Sequence, residues 1–394
     1  MKATGIIVEY NPFHNGHLLH LQEARKQTQA DVVIAVMSGS FLQRGEPALL
    51  PKWERAQMAV DAGVDLVVEL PFHFATQQAA IFANGAVEIL DALGVQSIFF
   101  GSENGDANAF SSAAKILTEQ DVPFKAAMRR FLDDKKNSYA TAWNAAIHEL
   151  APDLTLDLAQ PNNILGFHYA RAIAEQGKAI EIATMARQNA AYHDENPTHH
   201  SIASATAIRT MLLGNDWKKV RQYVPDTTLR LLQKFRETHS FVSWDDFWPL
   251  LKYQLVTAPI SQLQSTRGVS EGIENRLQQA ALHATNFDEF LAATRTKRYS
   301  NARIKRTALQ ILAQQSETTT TQNYIRLLGM STTGQRYLGR IKKNIALPII
   351  STASKANPAL IENDIRATKL YSFAPTLENQ ILRDFHTSPY RKNP

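Results

Sequence analysis

Five short, strongly apolar runs, separated by stretches of helical spacing, constrain this chain more than any other feature. The runs are Thr4–Glu9, Asp31–Met37, Asp65–Glu69, Val95–Phe100 and Ile180–Met185. Helical patterns follow the first four, at His17–Gln29, Lys52–Ala62, Gln77–Leu93 and Asp106–Thr118, and Pro51 stands where the second would open. Strands without a polar face must be covered on both sides, and β–α alternation delivers the covering helices. The pattern therefore predicts an α/β fold with a doubly wound, Rossmann-like parallel sheet. Two more helical stretches, Ser138–Leu150 and Asn163–Gln176, precede the fifth run and read as a helical insertion.

After about Leu213 the pattern changes. "LRLLQKFRE", "IENRLQQAALHA" and "ARIKRTALQILAQQ" place apolar residues at helix spacing, and strand signals become sparse. A boundary near Gly214–Asp216 would separate a first domain, residues 1–214, from a mostly α-helical region, 215–394. "SETTTT", Ser316–Thr321, reads as a loop. With 44% hydrophobic and 20% charged residues the chain has the make-up of a soluble globular protein. It contains no cysteine, which excludes disulfides, thiolate metal sites and cysteine nucleophiles and suits a reducing cytoplasm. No secretory signal is visible, and no stretch approaches the ~20 apolar residues of a membrane helix. The net charge of +5 permits a polyanionic partner without requiring one.

In a doubly wound sheet, ligands bind beyond the carboxyl ends of the strands. The segments there are "NPFHNGH", "SGSFLQRGEP", "ELPF", "GSENGD" and "ARQN", rich in glycine, small hydroxyls, amides and arginine. In HNGH, His17 falls in the first turn of a helix, where free N–H groups and the helix dipole favour an anion. His14 lies three residues earlier and can face the same side, while Gly16 lets backbone approach a ligand. Two imidazoles so placed suit a triphosphate and the charge that develops on phosphorus; a turn capped by a histidine is the ordinary alternative. A second anion site is expected at Ser201–Leu212. There Ser204 and Thr206 open an apolar-periodic helix and Arg209 follows one turn later.

These residues carry a resemblance. The His–x–Gly–His block after the first strand, with a hydroxyl-rich helix start after the last, resembles the HxGH nucleotidyltransferase superfamily. "GIIVEYNPFHNGH", "MSGSFLQRGEPA", "QPNNILG" and "YSNARIKR" together resemble one family within it, the bacterial tRNA(Met) cytidine acetate ligases, over essentially the whole chain. The resemblance implies a two-step reaction. ATP and acetate form acetyl-adenylate and pyrophosphate, and the acetyl group passes to the exocyclic amine of the wobble cytidine in elongator tRNA(Met). It also implies an ATP site over the positions Ile7, Val8, Glu9, Tyr10, Asn11, Pro12, Phe13, His14, Asn15, Gly16, His17, Leu18, Leu19 and His20, together with Gly101, Asn162 and Arg187. His14 and His17 are the expected catalytic pair, and Ser204, Thr206 and Arg209 complete the expected phosphate contacts.

Carboxylate activation needs acetate in line with the α phosphorus and neutralised phosphates. Mg²⁺ is expected on the triphosphate. No acidic cluster announces a protein metal cage, and no tightly bound cofactor is expected. A tRNA requires cations over a long surface. Arg295, Lys297, Arg298, Arg303, Lys305 and Arg306 form a basic block around Tyr299, which would stack on an unpaired base. Arg340, Lys342 and Lys343 form a second block, and Arg391 and Lys392 lie near the end. A charge run is commonly just a solvated helix face. Two other functions share the nucleotide half: a cofactor adenylyltransferase, which gives the basic half no role, and a non-catalytic nucleotide-sensing RNA-binding protein.

Overall fold

The computed structural model describes residues 1–133, 139–152, 154, 156–187, 201–317, 322–377 and 380–392. The five expected strands form as β1 (Ala3–Val8), β2 (Val32–Ser38), β3 (Leu66–Leu70), β4 (Ser97–Ser102) and β5 (Glu181–Ala186), within two residues of the expected bounds. They pair in parallel in the order β5-β4-β1-β2-β3. Alternate residues of β2 enter different cores. Val33, Ala35 and Met37 pack on one face, and Val32, Ile34 and Val36 on the other. That division is why the strand carries no polar face.

The covering helices are α1 (Asn15–Thr28), α2 (Lys52–Asp61), the short α3 (Phe72–Ala75), α4 (Ala79–Ala92), α5 (Ala107–Glu119), α6 (Asp121–Asp133), α7 (Tyr139–Leu150) and α8 (Pro161–Glu175). The short α3 and α6 were not anticipated, and Ser138, the expected start of α7, lies outside the described residues. So do Gln188 and Asn189 of the fifth strand-end segment and Thr318–Thr321 of the threonine-rich patch. After β5 comes α9 (Ala205–Leu213), which ends at Gly214.

Beyond Gly214 the chain is mostly helical, as expected. The helices are α10 (Trp217–Tyr223), α11 (Asp226–Thr238), α12 (Trp248–Thr257), α13 (Ile260–Gln264), α14 (Ile273–His283), α15 (Phe287–Thr294) and α16 (Asn301–Leu312). The chain then returns to the sheet, which the helical reading missed. β6 (Ile325–Met330) pairs antiparallel with β3, and β7 (Ile349–Ile350) and β8 (Tyr390–Arg391) pair in parallel with β6. Between and after β6 and β7 lie α17 (Thr332–Ile341), α18 (Pro358–Tyr371) and α19 (Arg383–His386). Among the described residues the sheet has eight strands, and chain from beyond the expected boundary completes it. An arginine interrupts β6, which hid the strand among helices: Arg326 is buried over the Trp53 ring and donates to the Asp384 carbonyl.

This return is fastened by buried charge. Lys52 of α2 bonds both oxygens of Glu69 on β3, at 2.9 and 2.8 Å, and Oδ2 of Asp384 on α19 at 2.9 Å. Burial works against the charge of Asp384, yet Lys52 and Arg326 together hold its carboxyl below the ordinary range. Removing one partner strands the others in the interior. Lys52→Met is therefore expected to cost about 3–5 kcal/mol of unfolding free energy at neutral pH, measured by urea titration. A loss under about 1 kcal/mol would mean that the network is solvated and does not fasten the C-terminal chain.

Candidate active site

The sheet reverses its order at β1, whose neighbours are β2 and β4. Such a switch point opens a crevice at the carboxyl ends of the strands. The β1–β2 ladder runs from Ala3↔Val32 to Val8↔Met37, whereas the β1–β4 ladder is confined to Thr4↔Ser97 and Gly5↔Ile98. Past that short ladder lies a cavity of about 260 Å³, lined from β1 by Ile7 and Val8, from the following turn by Glu9, Tyr10 and Asn11, and from β4 by Phe100 and Gly101.

Helix α1 begins at this cavity and uses histidines as its cap. His14 accepts a hydrogen bond on Nδ1 from the Gly16 N–H at 3.1 Å, which places the ring proton on Nε2. The His14 N–H meets Nδ1 of His17 at 3.4 Å, closing a capping box. The two imidazoles stack with centroids 3.7 Å apart. A Cβ on Gly16 would come within 2.9 Å of the His14 ring, so the glycine of HNGH makes room for the stack. His20 lies one turn further on and also lines the cavity.

All three imidazoles are driven towards the neutral form. Burial, then Arg187 and Arg209, lowers His14 to about 3. Burial and Arg187 lower His20 to about 4. His17 is pushed well down by burial, its two neighbouring histidines and Arg187, against a hydrogen bond to the Pro12 carbonyl. Arginines and imidazoles share one cavity, so the site disfavours further protons until an anion enters. The Glu9 carboxyl is raised by burial, opposed by the Gln43 N–H at 3.0 Å and by Arg44, Arg209 and Arg55.

The residues of the second expected anion site converge on the same cavity. Ser204 caps α9, accepting from the Ala207 N–H at 3.0 Å. Arg209 donates to Thr206 Oγ1 and to the Asn11 carbonyl, each at 3.1 Å, so α9 is tied to the turn after β1. Arg187 donates to Asn162 Oδ1 at 2.7 Å, and the Asn162 amide donates to Glu103 at 2.5 Å. Asn162 therefore orients Arg187. Gly101, Asn162, Arg187, Ser204, Thr206, Arg209, Leu19, His17 and His20 all line the cavity.

Four expected positions do not. Asn15 turns away and donates to the Ser201 and Gln222 carbonyls. Phe13 is fully buried in the core, Leu18 packs against that core, and Pro12 lies outside the lining. A contiguous segment cannot present every side chain, because alternate residues of a turn and one face of a helix look elsewhere. Conversely, Gln43 and Arg44 from the loop after β2 and Tyr169 from α8 line the cavity and were not singled out. The loop after β2 was recognised as a strand-end segment, but nothing local distinguishes its inward residues.

The basic block around Tyr299 lies at the same end of the sheet, packed on the loop after β2. Lys305 meets Glu46 at 2.5 Å. Gly45, at φ 77°, lies so close to α16 that a Cβ would be 2.4 Å from the Arg306 nitrogen. Burial, Arg303 and Arg44 lower Arg306 to about 10. Tyr299 does not present its ring to solvent. It is 7% exposed, donates to the Glu271 carbonyl at 2.8 Å and carries the Arg303 guanidinium 5.0 Å from its ring centre. The expected stacking of Tyr299 on a base is therefore not available in this conformation; the tyrosine holds Arg303. The other two blocks lie at the opposite end. Tyr337 of α17 donates to the Leu93 carbonyl before β4, and β8 pairs with Gly329 and Met330, beside the start of β3. Among the described residues no group of three or more acidic, histidine or cysteine side chains could hold a metal ion, and no helix is long and apolar enough to cross a membrane.

The model of the HIGH Nucleotidyl Transferase family matches residues 1–384. The tRNA(Met) cytidine acetate ligase of Listeria monocytogenes serovar 1/2a is 54% identical over 389 residues, covering 99% of each chain. The chain belongs to the tRNA(Met) cytidine acetate ligase family of HIGH nucleotidyl transferases. A family member from Anoxybacillus flavithermus is 44% identical over 99% of this chain and 100% of its own. The crystal structure of Thermotoga maritima TmcAL in its apo form I superimposes with a TM-score of 0.91 at 34% identity, over 100% of both chains. The same enzyme bound with alpha-thio ATP superimposes with a TM-score of 0.89 at 33% identity, again over 100% of both chains.

The histidine shifts set a pH dependence. A folded imidazole depressed below its unfolded value of 6.5 refuses protons that the unfolded chain accepts. Stability should therefore be full above about pH 6.5 and fall as pH drops toward 3. His14 alone contributes about 1.4 kcal/mol of loss one pH unit below its unfolded value. Thermal melts at pH 7.5 and 5.5 should show this decline, and His14→Gln should reduce it; equal declines in both proteins would remove His14 as a source.

Proposed function

We propose that this chain is an ATP-dependent ligase that makes acetyl-adenylate from acetate and ATP and acetylates the wobble cytidine of elongator tRNA(Met). The observation that carries this reading is the convergence of His14, His17, Arg187 and Arg209 on one switch-point cavity, in a chain matched end to end by tRNA(Met) cytidine acetate ligases.

The chemistry follows from that cavity. The triphosphate lies across the N-termini of α1 and α9, whose free N–H groups accept negative charge. His14 offers its Nε2–H to a phosphate oxygen, with His17 stacked beside it, and Arg209 and Arg187 neutralise the rest. An acetate oxygen attacks the α phosphorus in line, and pyrophosphate leaves with its charge met by the same donors. Mg²⁺ accompanies the triphosphate and supplies further neutralisation of its oxygens. The cytidine amine then attacks the acetyl carbonyl; the N–C bond forms, the C–O bond to phosphate breaks, AMP leaves and the amine loses a proton. Arg303, Lys305 and Arg306, with Arg295, Lys297 and Arg298, meet the tRNA backbone at the same end of the sheet. The cysteine-free composition suits the cytoplasm, where tRNA resides.

Acetate-dependent exchange of labelled pyrophosphate into ATP, followed by transfer of labelled acetate to tRNA(Met), tests the reading. His17→Ala should lower exchange ~100- to 1,000-fold, because the stacked ring that holds the His14 donor in place is lost, about 2.7–4 kcal/mol for one preorganised donor. Wild-type exchange in that variant would remove His17 from the phosphate site. Arg209→Ala should weaken ATP binding in calorimetry more than tRNA binding; the reverse order would place α9 against the RNA.

A further inference from the structure

A second, larger cavity of about 1070 Å³ opens at the same end of the sheet, beyond β3. It exceeds the ~300–1,000 Å³ of ordinary small-molecule sites, so it has room for more than a mononucleotide. Its basic side comes from Arg267, Lys297, Arg298, Arg303 and Arg306. Glu317 also lines it, and Glu271 pairs with Arg298 at 3.8 Å and Arg303 at 3.1 Å. Cations remain in excess.

The inner wall carries polar atoms without partners. His73 is 3% exposed, and neither ring nitrogen has a hydrogen-bond partner among the described residues. Nε2 of Gln77 and Oε1 of Gln310 are likewise buried and unbonded. All three residues line the cavity. A buried, unsatisfied donor or acceptor costs free energy, and such groups are retained where a ligand completes them. Burial and Arg267 lower His73 to about 4, so its ring is neutral and presents one donor and one acceptor. A donor–acceptor wall behind a cationic rim matches the edge of an unpaired base and its phosphates.

The two cavities share a partition. Gln43 lines the smaller one, and its side chain donates to the carbonyl of Gln77, which lines the larger, at 2.9 Å. Ile81 faces the larger cavity and the next residue, Phe82, the smaller.

Building on the function proposed above, we propose that the larger cavity seats unpaired nucleotides flanking the cytidine that is acetylated. His73, Gln77 and Gln310 read a base edge there, and the arginines and Lys297 hold its phosphates. The reacting cytidine itself is presented to the smaller cavity across the partition. This seat would let the enzyme select its RNA by the neighbours of the reacting base.

His73 supplies a clean test, because its ring nitrogens bond nothing among the described residues. His73→Phe removes no observed intramolecular hydrogen bond, and Ile81→Trp fills the cavity from a position 37% exposed. Both variants should keep at least the wild-type melting temperature and the wild-type acetate-dependent pyrophosphate exchange. Both should lose ~10-fold or more in kcat/KM for acetylation of an anticodon stem-loop RNA, in line with the loss of one seated base. With 2-aminopurine beside the cytidine, wild-type protein should raise the fluorescence on binding, and Ile81→Trp should abolish the rise. Wild-type acetylation by both variants, or an unchanged fluorescence rise, would overturn the proposal. If wild-type protein exchanges pyrophosphate but acetylates no RNA, the proposed ligase function fails instead, and the fluorescence arm still decides the cavity.

Discussion

The geometry of the strand ends hangs on one buried guanidinium. Arg55 of α2 is wholly buried, and its donors reach the carbonyls of Glu9 after β1, Ser38 at the end of β2, Gly39 in the loop that follows, and Leu50 at the end of that loop. Only arginine offers a planar fork able to serve so many acceptors at once. Burial lowers Arg55 to about 10, yet it stays charged at neutral pH, so each carbonyl receives a charge-assisted bond. The Asn11 side chain adds a bond from the Leu49 N–H at 2.7 Å. The turn that carries the histidines and the loop that carries Gln43 and Arg44 are thereby set against each other before any ligand arrives.

That preorganisation is electrostatically uncomfortable without a ligand. Three imidazoles sit under the influence of Arg187, and His14 also feels Arg209; burial makes each charge harder to hold. The fold resolves the conflict by leaving the imidazoles neutral while hydrogen bonds to backbone set the orientation of His14 and His17. In the function proposed above, a triphosphate would reverse the balance, bringing the negative charge that the arginines and helix ends would meet. Donors held in place this way need little reorganisation when charge moves to the leaving pyrophosphate.

The C-terminal chain serves the same end of the sheet from two directions. Through β6 and the Lys52–Glu69–Asp384 network it completes the sheet beside β3. Through α16 it presses Lys305 and Arg306 against the Arg44–Gly45–Glu46 loop. The cationic rim of the larger cavity and the loop lining the smaller one are therefore mechanically joined. In the function proposed above, RNA engagement and adenylate formation would share this wall, which suits a reaction whose intermediate must meet the amine before water does.

The local facts were legible in the sequence. Apolar runs placed the first five strands, because a strand buried on both faces admits few polar residues. HNGH and Ser204 announced helix starts, because capping depends on the few residues around it. Position in the whole fold was not legible. β6 contains Arg326, whose burial makes sense only once Asp384 and Trp53 are brought to it from distant parts of the chain. Tyr299 looked like an exposed stacking residue until Glu271 and Arg303 covered it. Asn15, inside the most telling motif, turned to the Ser201 and Gln222 carbonyls. The sequence determined which segments form strands and helix caps, since those follow from neighbours along the chain. The order of the strands decided which loops meet, and hence which side chains line each cavity, because those contacts are made across the sheet between residues far apart in sequence.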